Sequence, residues 1–415
     1  MPRATMFTLM FAVFTVSVGF GIVLPLLPYL IERLLGSSGQ AVQVSRHTGF
    51  LTAAYTLSLF LFAPMWGRLS DRHGPRGVLL FGLLGFGGTM MAFSFVESLG
   101  AVYAERFLSG LFAAAVTPVA ASVIGNFTTT EQGRARQLAF FSMASIAGFL
   151  LGPMFSVFIT RLTAGFFAIA SPAGSVALPL VTTALFAFLA AGAIAFAPVG
   201  EGHNRFPKNN AVSPEKVSWL VPKLLTLTFL VSVGIGVFEV GIALRGKQEL
   251  GLSSYQIALM FTECSLVMFA LQAIVFSPWF KPDRTRWLIA PALAMLAVGL
   301  FLVPRASDFR LMLAVIGLVA ASGGILLPIL TYWISAKAGT TQGWELGKQT
   351  AAASFGVTLG SAASGLLYNA VALPGASFIL TAGLALLGFV LSLGLPQLLV
   401  TPQTLSRPLS GKSVR

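Results

Sequence analysis

Residues 49–97 read GFLTAAYTLSLFLFAPMWGRLSDRHGPRGVLLFGLLGFGGTMMAFSFVE, and this stretch decides the fold class. Residues 49–67 and 77–96 carry no charged side chain, whereas the nine residues between them hold three arginines, an aspartate and a histidine. An α-helix needs about 20 mostly apolar residues to cross the hydrocarbon of a bilayer. The stretch therefore predicts two membrane spans joined by a short cationic turn. Gly67 and Gly74 permit a sharp reversal of the chain. Asp71, at a helix end, can accept hydrogen bonds from the N-terminus of a neighbouring helix, where the macrodipole favours an anion. Such a contact would latch two helices together in one state and release them in another.

The same pattern recurs outward from this stretch. Apolar runs occur at about 6–30, 49–67, 77–97, 99–124, 137–160, 177–198, 222–245, 254–280, 287–304, 309–334, 349–371 and 373–396, which predicts twelve spans. The first run extends into Pro25 and Pro28, longer than the apolar stretch of a cleaved signal peptide, and is expected to be retained. Residues 161–175 are open between a long outer loop, a re-entrant piece and an interfacial segment. Residues 200–216, GEGHNRFPKNNAVSPEK, form the longest polar run before the tail. The expected organisation is a six-helix half over 1–199, a cytoplasmic linker over 200–221, a second six-helix half over 222–400 and a disordered cytoplasmic tail over 401–415.

Composition supports lipid as the medium. Of 415 residues 56% are hydrophobic and 9% charged, against roughly 25% charged in an average soluble domain. The 43 glycines suit closely packed membrane helices. A net charge of +13 could suggest nucleic acid, but topology explains it. With both ends in the cytoplasm, eighteen of the 26 Lys and Arg fall on the cytoplasmic side, seven on the outer side, and Arg106 lies inside a span. That bias follows the positive-inside rule. The chain is therefore expected in the cell (inner) membrane, multi-pass, with no nucleic-acid partner. Its one cysteine, Cys264, excludes an intrachain disulfide. The three histidines, His47, His73 and His203, fall in expected loops, so no metal site and no cofactor are expected.

The turn Gly67-Arg-Leu69-Ser-Asp71-Arg72-His-Gly74-Pro75-Arg76 resembles the signature between spans two and three of the major facilitator superfamily, with Pro75 in place of one basic residue. The resemblance implies a conformational latch formed by Gly67, Asp71, Arg72, Gly74 and Arg76. Arg106 with Ser109-Gly110 is similar to a span-four pattern of proton-driven members, and Gly148-Phe-Leu-Leu-Gly152-Pro153 is similar to the helix motif of the twelve-span drug:proton antiporter group. Several members of that group carry an acid in span one, where this chain has Thr15, Ser17 and Gly19. The resemblance implies an all-α fold with spans three, six, nine and twelve outside and the other eight around a central cavity. Gly148, Leu151 and Gly152 recur 208 residues on as Gly356, Leu359 and Gly360, which suits a repeat.

Ionisable side chains inside spans cost at least about 2.5–3.5 kcal/mol and so tend to face a cavity. Glu239, Glu263 and Arg106 lie at similar estimated depths, and one water-filled pocket is expected to serve all three. Glu239 or Glu263 is expected to carry a coupling proton and Arg106 to bias its release. Glu105, about 100° round the helix from Arg106, is expected to point elsewhere. Phe20, Tyr55, Phe238, Gln272, Tyr332 and Trp333 are the candidate cavity residues. An apolar aromatic pocket favours lipophilic or amphiphilic solutes. Three carboxylates without His or Cys partners do not make an intramembrane enzyme. The expected activity is secondary transport by alternating access: proton-coupled export of a small-molecule substrate by a monomer. The alternatives are a facilitator or importer of a polar metabolite and, since fold does not dictate function, a protein that kept this fold and lost transport.

Overall fold

The computed structural model describes residues 3–36, 41–127, 131–166, 174–197, 199, 219–277, 281–337, 342–369 and 375–399, all in helices or short turns. The helices are α1 (Arg3–Leu35), α2 (Ala41–His73), α3 (Pro75–Phe93), α4 (Leu99–Ala113), α5 (Thr117–Phe127), α6 (Glu131–Phe166) and α7 (Gly174–Phe196). After residue 219 come α8 (Leu220–Gln248), α9 (Ser254–Val275), a 3-10 turn (Pro282–Leu288), α10 (Ile289–Leu302), α11 (Phe309–Lys337), α12 (Gln342–Leu367), α13 (Ala376–Ser392) and the single turn α14 (Leu395–Leu398). Among the described residues eleven helices are long and apolar enough to cross a membrane, α4 and α5 together supplying one of them; α13 is shorter but equally apolar. The expected linker and tail lie largely outside the described residues, as do residues 167–173 of the ambiguous 161–175 segment, of which α6 takes the backbone through Phe166.

Several helices outrun the expected spans. At 33 residues each, α1 and α2 are about 50 Å long, well beyond a hydrocarbon core of about 30 Å. Both run on through residues that could have ended them, α1 past Pro25 and Pro28 and α2 past Pro64 and Gly67. The turn after α2 is consequently tighter than expected. Arg68, Asp71 and Arg72 are helical, and Gly74 alone reverses the chain at φ 87° before Pro75 opens α3. His47, expected in a loop, sits in α2 with its Nδ1 3.0 Å from the Tyr103 hydroxyl. The run expected as one helix over 99–124 breaks at Ala114–Val116, because Pro118 cannot donate the hydrogen bond that would continue the ladder.

The outward surface is apolar. On α13, Leu380, Leu384, Leu387 and Leu391 form one exposed stripe at helical spacing, a face that only lipid solvates well. Inside, α1 packs on α6, α3 on α7, α8 on α12 and α10 on α13, while α2 lies along α12 and α6 along α9. Glycines set the closest approaches. A Cβ on Gly148 would fall 2.3 Å from the Phe14 carbonyl and 2.9 Å from Ser17; a Cβ on Gly356 would fall 2.5 Å from the Phe229 carbonyl and 2.8 Å from Ser232. The repeat legible in the glycines is thus a repeat of helix-pair contacts, α6 on α1 and α12 on α8.

Candidate functional site

A cavity of about 350 Å³ opens between α1, α2, α6, α8, α9, α11 and α12, with Ala113 and Thr117 reaching it from either side of the α4–α5 break. One wall is a run of rings. Phe20 stacks on Tyr55 at 5.1 Å and on Phe149 at 5.8 Å, and Phe149 meets Phe261 edge-on at 5.9 Å. Hydroxyl pairs join helices beside them: Ser17 and Ser145 at 2.7 Å, Thr56 and Thr358 at 2.9 Å. Two lining atoms, Ser232 Oγ and Gln272 Oε1, are buried without a hydrogen-bond partner. Leaving a buried polar atom unpaired costs about 1–3 kcal/mol, which a bound solute or water would recover.

Glu239 is the charged side chain on this lining. It projects from α8 one turn beyond Ile235 and beside Phe238, both of which also line the cavity. The shared pocket expected for three ionisable groups is not what the chain builds. Glu263 is half-buried at the α9–α11 seam, off the lining, where its Oε1 would lie 3.9 Å from a Cβ on Gly317; its Oε2 is covered and unpaired. Cys264, next along α9, does line the cavity. Arg106 is also off the lining. Its Nε and Nη2 donate to the two Glu105 oxygens at 2.7 and 2.9 Å, with both side chains buried, and its guanidinium lies 4.8 Å from the centre of the Phe93 ring. Glu105 therefore does not point elsewhere. Adjacent helical residues diverge by about 100° at Cβ, but two long side chains bend back to pair where no water can solvate either charge.

Contacts between helices stand at both ends of the bundle. At one end Asp71 accepts from the backbone N–H groups of Gly343 (3.1 Å) and Trp344 (2.9 Å), the first turn of α12. Arg68 lies 3.8 Å over the Trp344 ring, and Arg134 donates to the Ser335 carbonyl at 3.2 Å. Arg76 donates to the Ala195 carbonyl, tying α3 to α7, while Arg72 is exposed. Gly67 makes the contact possible, since a Cβ there would be 2.3 Å from the Gly343 carbonyl. At the opposite end the Tyr29 hydroxyl donates to the Leu252 carbonyl at 2.8 Å, and Lys247 donates to the Pro28 carbonyl at 3.0 Å and pairs with Glu32. Asn369 donates to the Ser45 hydroxyl at 2.7 Å, and Gly49 packs against Gly365.

Of the expected cavity residues, Phe20, Tyr55, Phe238 and Gln272 line the cavity, whereas Tyr332 and Trp333 do not. Those two are fully buried against one another, and Trp333 donates to the Thr285 hydroxyl at 3.2 Å. They lie near the end of α11, where helix packing rather than the cavity takes up their rings. Sequence reasoning missed Ser17, Thr56, Ser145, Phe149, Phe261 and Met268. The 208-residue glycine offset does not reveal them: Ser17 and Ser232, which sit beside Gly148 and Gly356 at matching positions of α1 and α8, lie 215 residues apart. In the antiporter-type motif, Gly148 and Gly152 pack against the α1 backbone, and Pro153 continues α6.

An all-helical bundle with an apolar exterior and a cavity among its helices defines a multi-pass membrane protein. The family model for the Major Facilitator Superfamily matches residues 9–344, and the chain belongs to that family of membrane transporters. It is 26% identical over 363 residues to Multidrug resistance protein 2 of Bacillus subtilis (strain 168), covering 86% of this chain and 87% of the relative. It is 25% identical over 367 residues to the Quinolone resistance protein NorA of Staphylococcus aureus (strain COL), covering 88% and 89%. The crystal structure of the human organic anion transporter MFSD10 (TETRAN) superposes with a TM-score of 0.74 at 20% identity, over 94% of this chain and 100% of that one, and shares the fold.

Proposed function

We propose that the protein exports small lipophilic or amphiphilic compounds in exchange for protons, by alternating access, with Glu239 as the carboxylate that holds the proton when substrate is absent. The carrying observation is that this one carboxylate stands on an otherwise uncharged, ring-lined cavity. A charge so placed costs at least about 2.5–3.5 kcal/mol in a membrane interior, and either a proton or a cationic substrate removes that cost. Competition between the two couples their fluxes. Two relatives named for drug resistance support the export direction. The lining carries a single amide, Gln272, and no cation, a poor match for a sugar-like or anionic metabolite.

On this reading α13 with α14 is the twelfth span, residues 1–199 and 222–400 are two six-helix halves of a monomer, and both termini and the Asp71 end face the cytoplasm. The Asp71 contacts and the Tyr29–Lys247 contacts stand at the two ends and are the two gates of this reading. Glu263 and the Arg106–Glu105 pair have structural rather than coupling roles. The test is transport of a fluorescent lipophilic cation into inverted vesicles under an imposed pH gradient. Glu239→Gln is expected to abolish gradient-driven uptake while keeping downhill exchange, and Glu263→Gln to transport like the parent. Gradient-driven uptake by Glu239→Gln at the parent rate would end the proposal.

A further inference from the structure

A second cavity, of about 440 Å³, lies on the lipid side of the bundle, between the start of α8 and the end of α13 with α14. Its wall is apolar, from Trp219, Leu220, Pro222, Leu391 and Leu398, with Lys223 as its charged residue. The contacts fix its level. Gly356 meets Phe229 and Gly360 meets Val233, so α8 and α12 run parallel, and the start of α8 stands at the same end as Gly343 and Asp71. Trp219 is 85% exposed and Trp287 60% exposed at this end. Exposed indoles at a span terminus mark the headgroup layer, where one edge of the ring is wet and the rest is greasy.

Lys223 forms no ion pair among the described residues, and its Nζ would lie 3.9 Å from a Cβ on Gly394, at the start of α14. Arg286 holds the other end of that turn, donating from Nη1 to the Leu399 carbonyl at 3.3 Å, while its Nε is buried without a partner. Trp219, at the N-cap of α8, makes no side-chain cap hydrogen bond. Lys223 is thus the one charge on the lining of a greasy groove, with no carboxylate among the described lining residues. The chain's own tail is a poor occupant, because its ionisable side chains, Arg407, Lys412 and Arg415, are all basic. A bilayer always presents the complementary molecule to such a groove.

We propose that this groove is a binding site for an anionic phospholipid, its phosphodiester held by Lys223 and its acyl chain lying along Leu391 and Leu398. Lipid held here would bridge α8 to α13 and α14, the helices that carry Glu239 and the outermost stripe. The proposal needs only the bilayer and is independent of what the central cavity transports.

The test uses the purified full chain in detergent, with phosphatidylglycerol, phosphatidylcholine or inorganic phosphate added. Native mass spectrometry counts bound lipid, and thermal melting reads stabilisation. Phosphatidylglycerol is expected to bind in preference to phosphatidylcholine and to raise the melting temperature, and phosphate alone to do neither. Each cation near a membrane surface contributes about a five-fold factor in affinity. Lys223→Gln should therefore weaken phosphatidylglycerol binding about five-fold, and Lys223→Arg should restore it. Should the Gln variant fail to fold, the headgroup preference of the parent chain decides. Equal binding of both lipids, equal stabilisation by phosphate, or full phosphatidylglycerol affinity in a folded Lys223→Gln chain would overturn the proposal.

Discussion

Placing a methyl group on either of two glycines of α2 should push the protein open at opposite ends. Along α2 and α12 the backbones touch at Gly67 near one end and at Gly49 near the other, about 27 Å apart along the helix. A Cβ on Gly67 would sit 2.3 Å from the Gly343 carbonyl oxygen, and one on Gly49 would sit 2.5 Å from the Ser361 carbonyl oxygen and 2.8 Å from the Gly365 Cα. Ordinary contact needs roughly 1 Å more, and the obstructing atoms are backbone, which cannot rotate aside. Overpacking of this kind costs about 1–3 kcal/mol. A conformation that separates the helices at that end escapes the cost, so its population relative to the closed form should rise about 5- to 150-fold. The chain carries its own reporter, since its single cysteine, Cys264, lines the cavity and is 7% exposed. In sealed vesicles of known orientation, a membrane-impermeant thiol reagent should label Gly67→Ala faster than the parent from the Asp71 side alone. Gly49→Ala should gain labelling from the opposite side alone. The ratio to the parent rate cancels the intrinsic reactivity of the thiol, and Cys264→Ser supplies the blank. Equal acceleration from both sides by one variant, or none by either, refutes the view that these contacts close separate gates.

Asp71→Asn keeps one acceptor oxygen for either Gly343 or Trp344, turns the other into an amide NH2 that cannot accept, and loses the charge that the α12 N-terminus favours, so it should weaken that end by about 1–2 kcal/mol and reproduce the Gly67→Ala labelling pattern more mildly. Lys247→Ala removes the donor to Pro28 and the partner of Glu32, and should raise Cys264 labelling from the Tyr29 side only. Glu105→Gln strands Arg106 in a dry site and should lower thermal stability by about 3–5 kcal/mol, while replacing both by apolar residues of similar volume should cost far less; differential scanning in detergent separates the two. Burial, with the hydrogen bond it donates to Glu249 at 2.7 Å, holds the Tyr368 hydroxyl above its ordinary pKa of 10.0. The folded state thus favours the neutral phenol. This contribution is complete below pH 10 and fades as the pH rises above it, so the parent should lose melting temperature more steeply than Tyr368→Phe in that alkaline range.

Hydropathy is a local property, and for this chain it was enough to identify the medium, eleven of the spans and the short apolar helix near residue 380. The spacing of Gly67, Asp71 and Gly74 was also legible, because a one-residue turn needs a glycine at positive φ and a helix N-terminus needs an anion. Helix phase was not legible. In a soluble protein the apolar stripe shows which face turns inward, but here lipid-facing and core-facing sides are equally greasy, so nothing in the pattern sets Glu239 on the cavity and Glu263 beside it. The same blindness placed Tyr332 and Trp333 on the cavity and overlooked Phe149 and Phe261.

Sequence alone therefore determined where the chain meets lipid, where it turns, and which few charges it carries into the membrane, since each is settled within a turn or two of helix. Tertiary structure alone decided what those charges face. Arg106 finds its neighbour Glu105 and Glu239 finds open space, while outside the spans Lys247 finds Pro28 and Glu32 more than two hundred residues away. A charge in a low-dielectric interior is governed by the handful of atoms around it, and only the packing of one helix against another assembles those atoms.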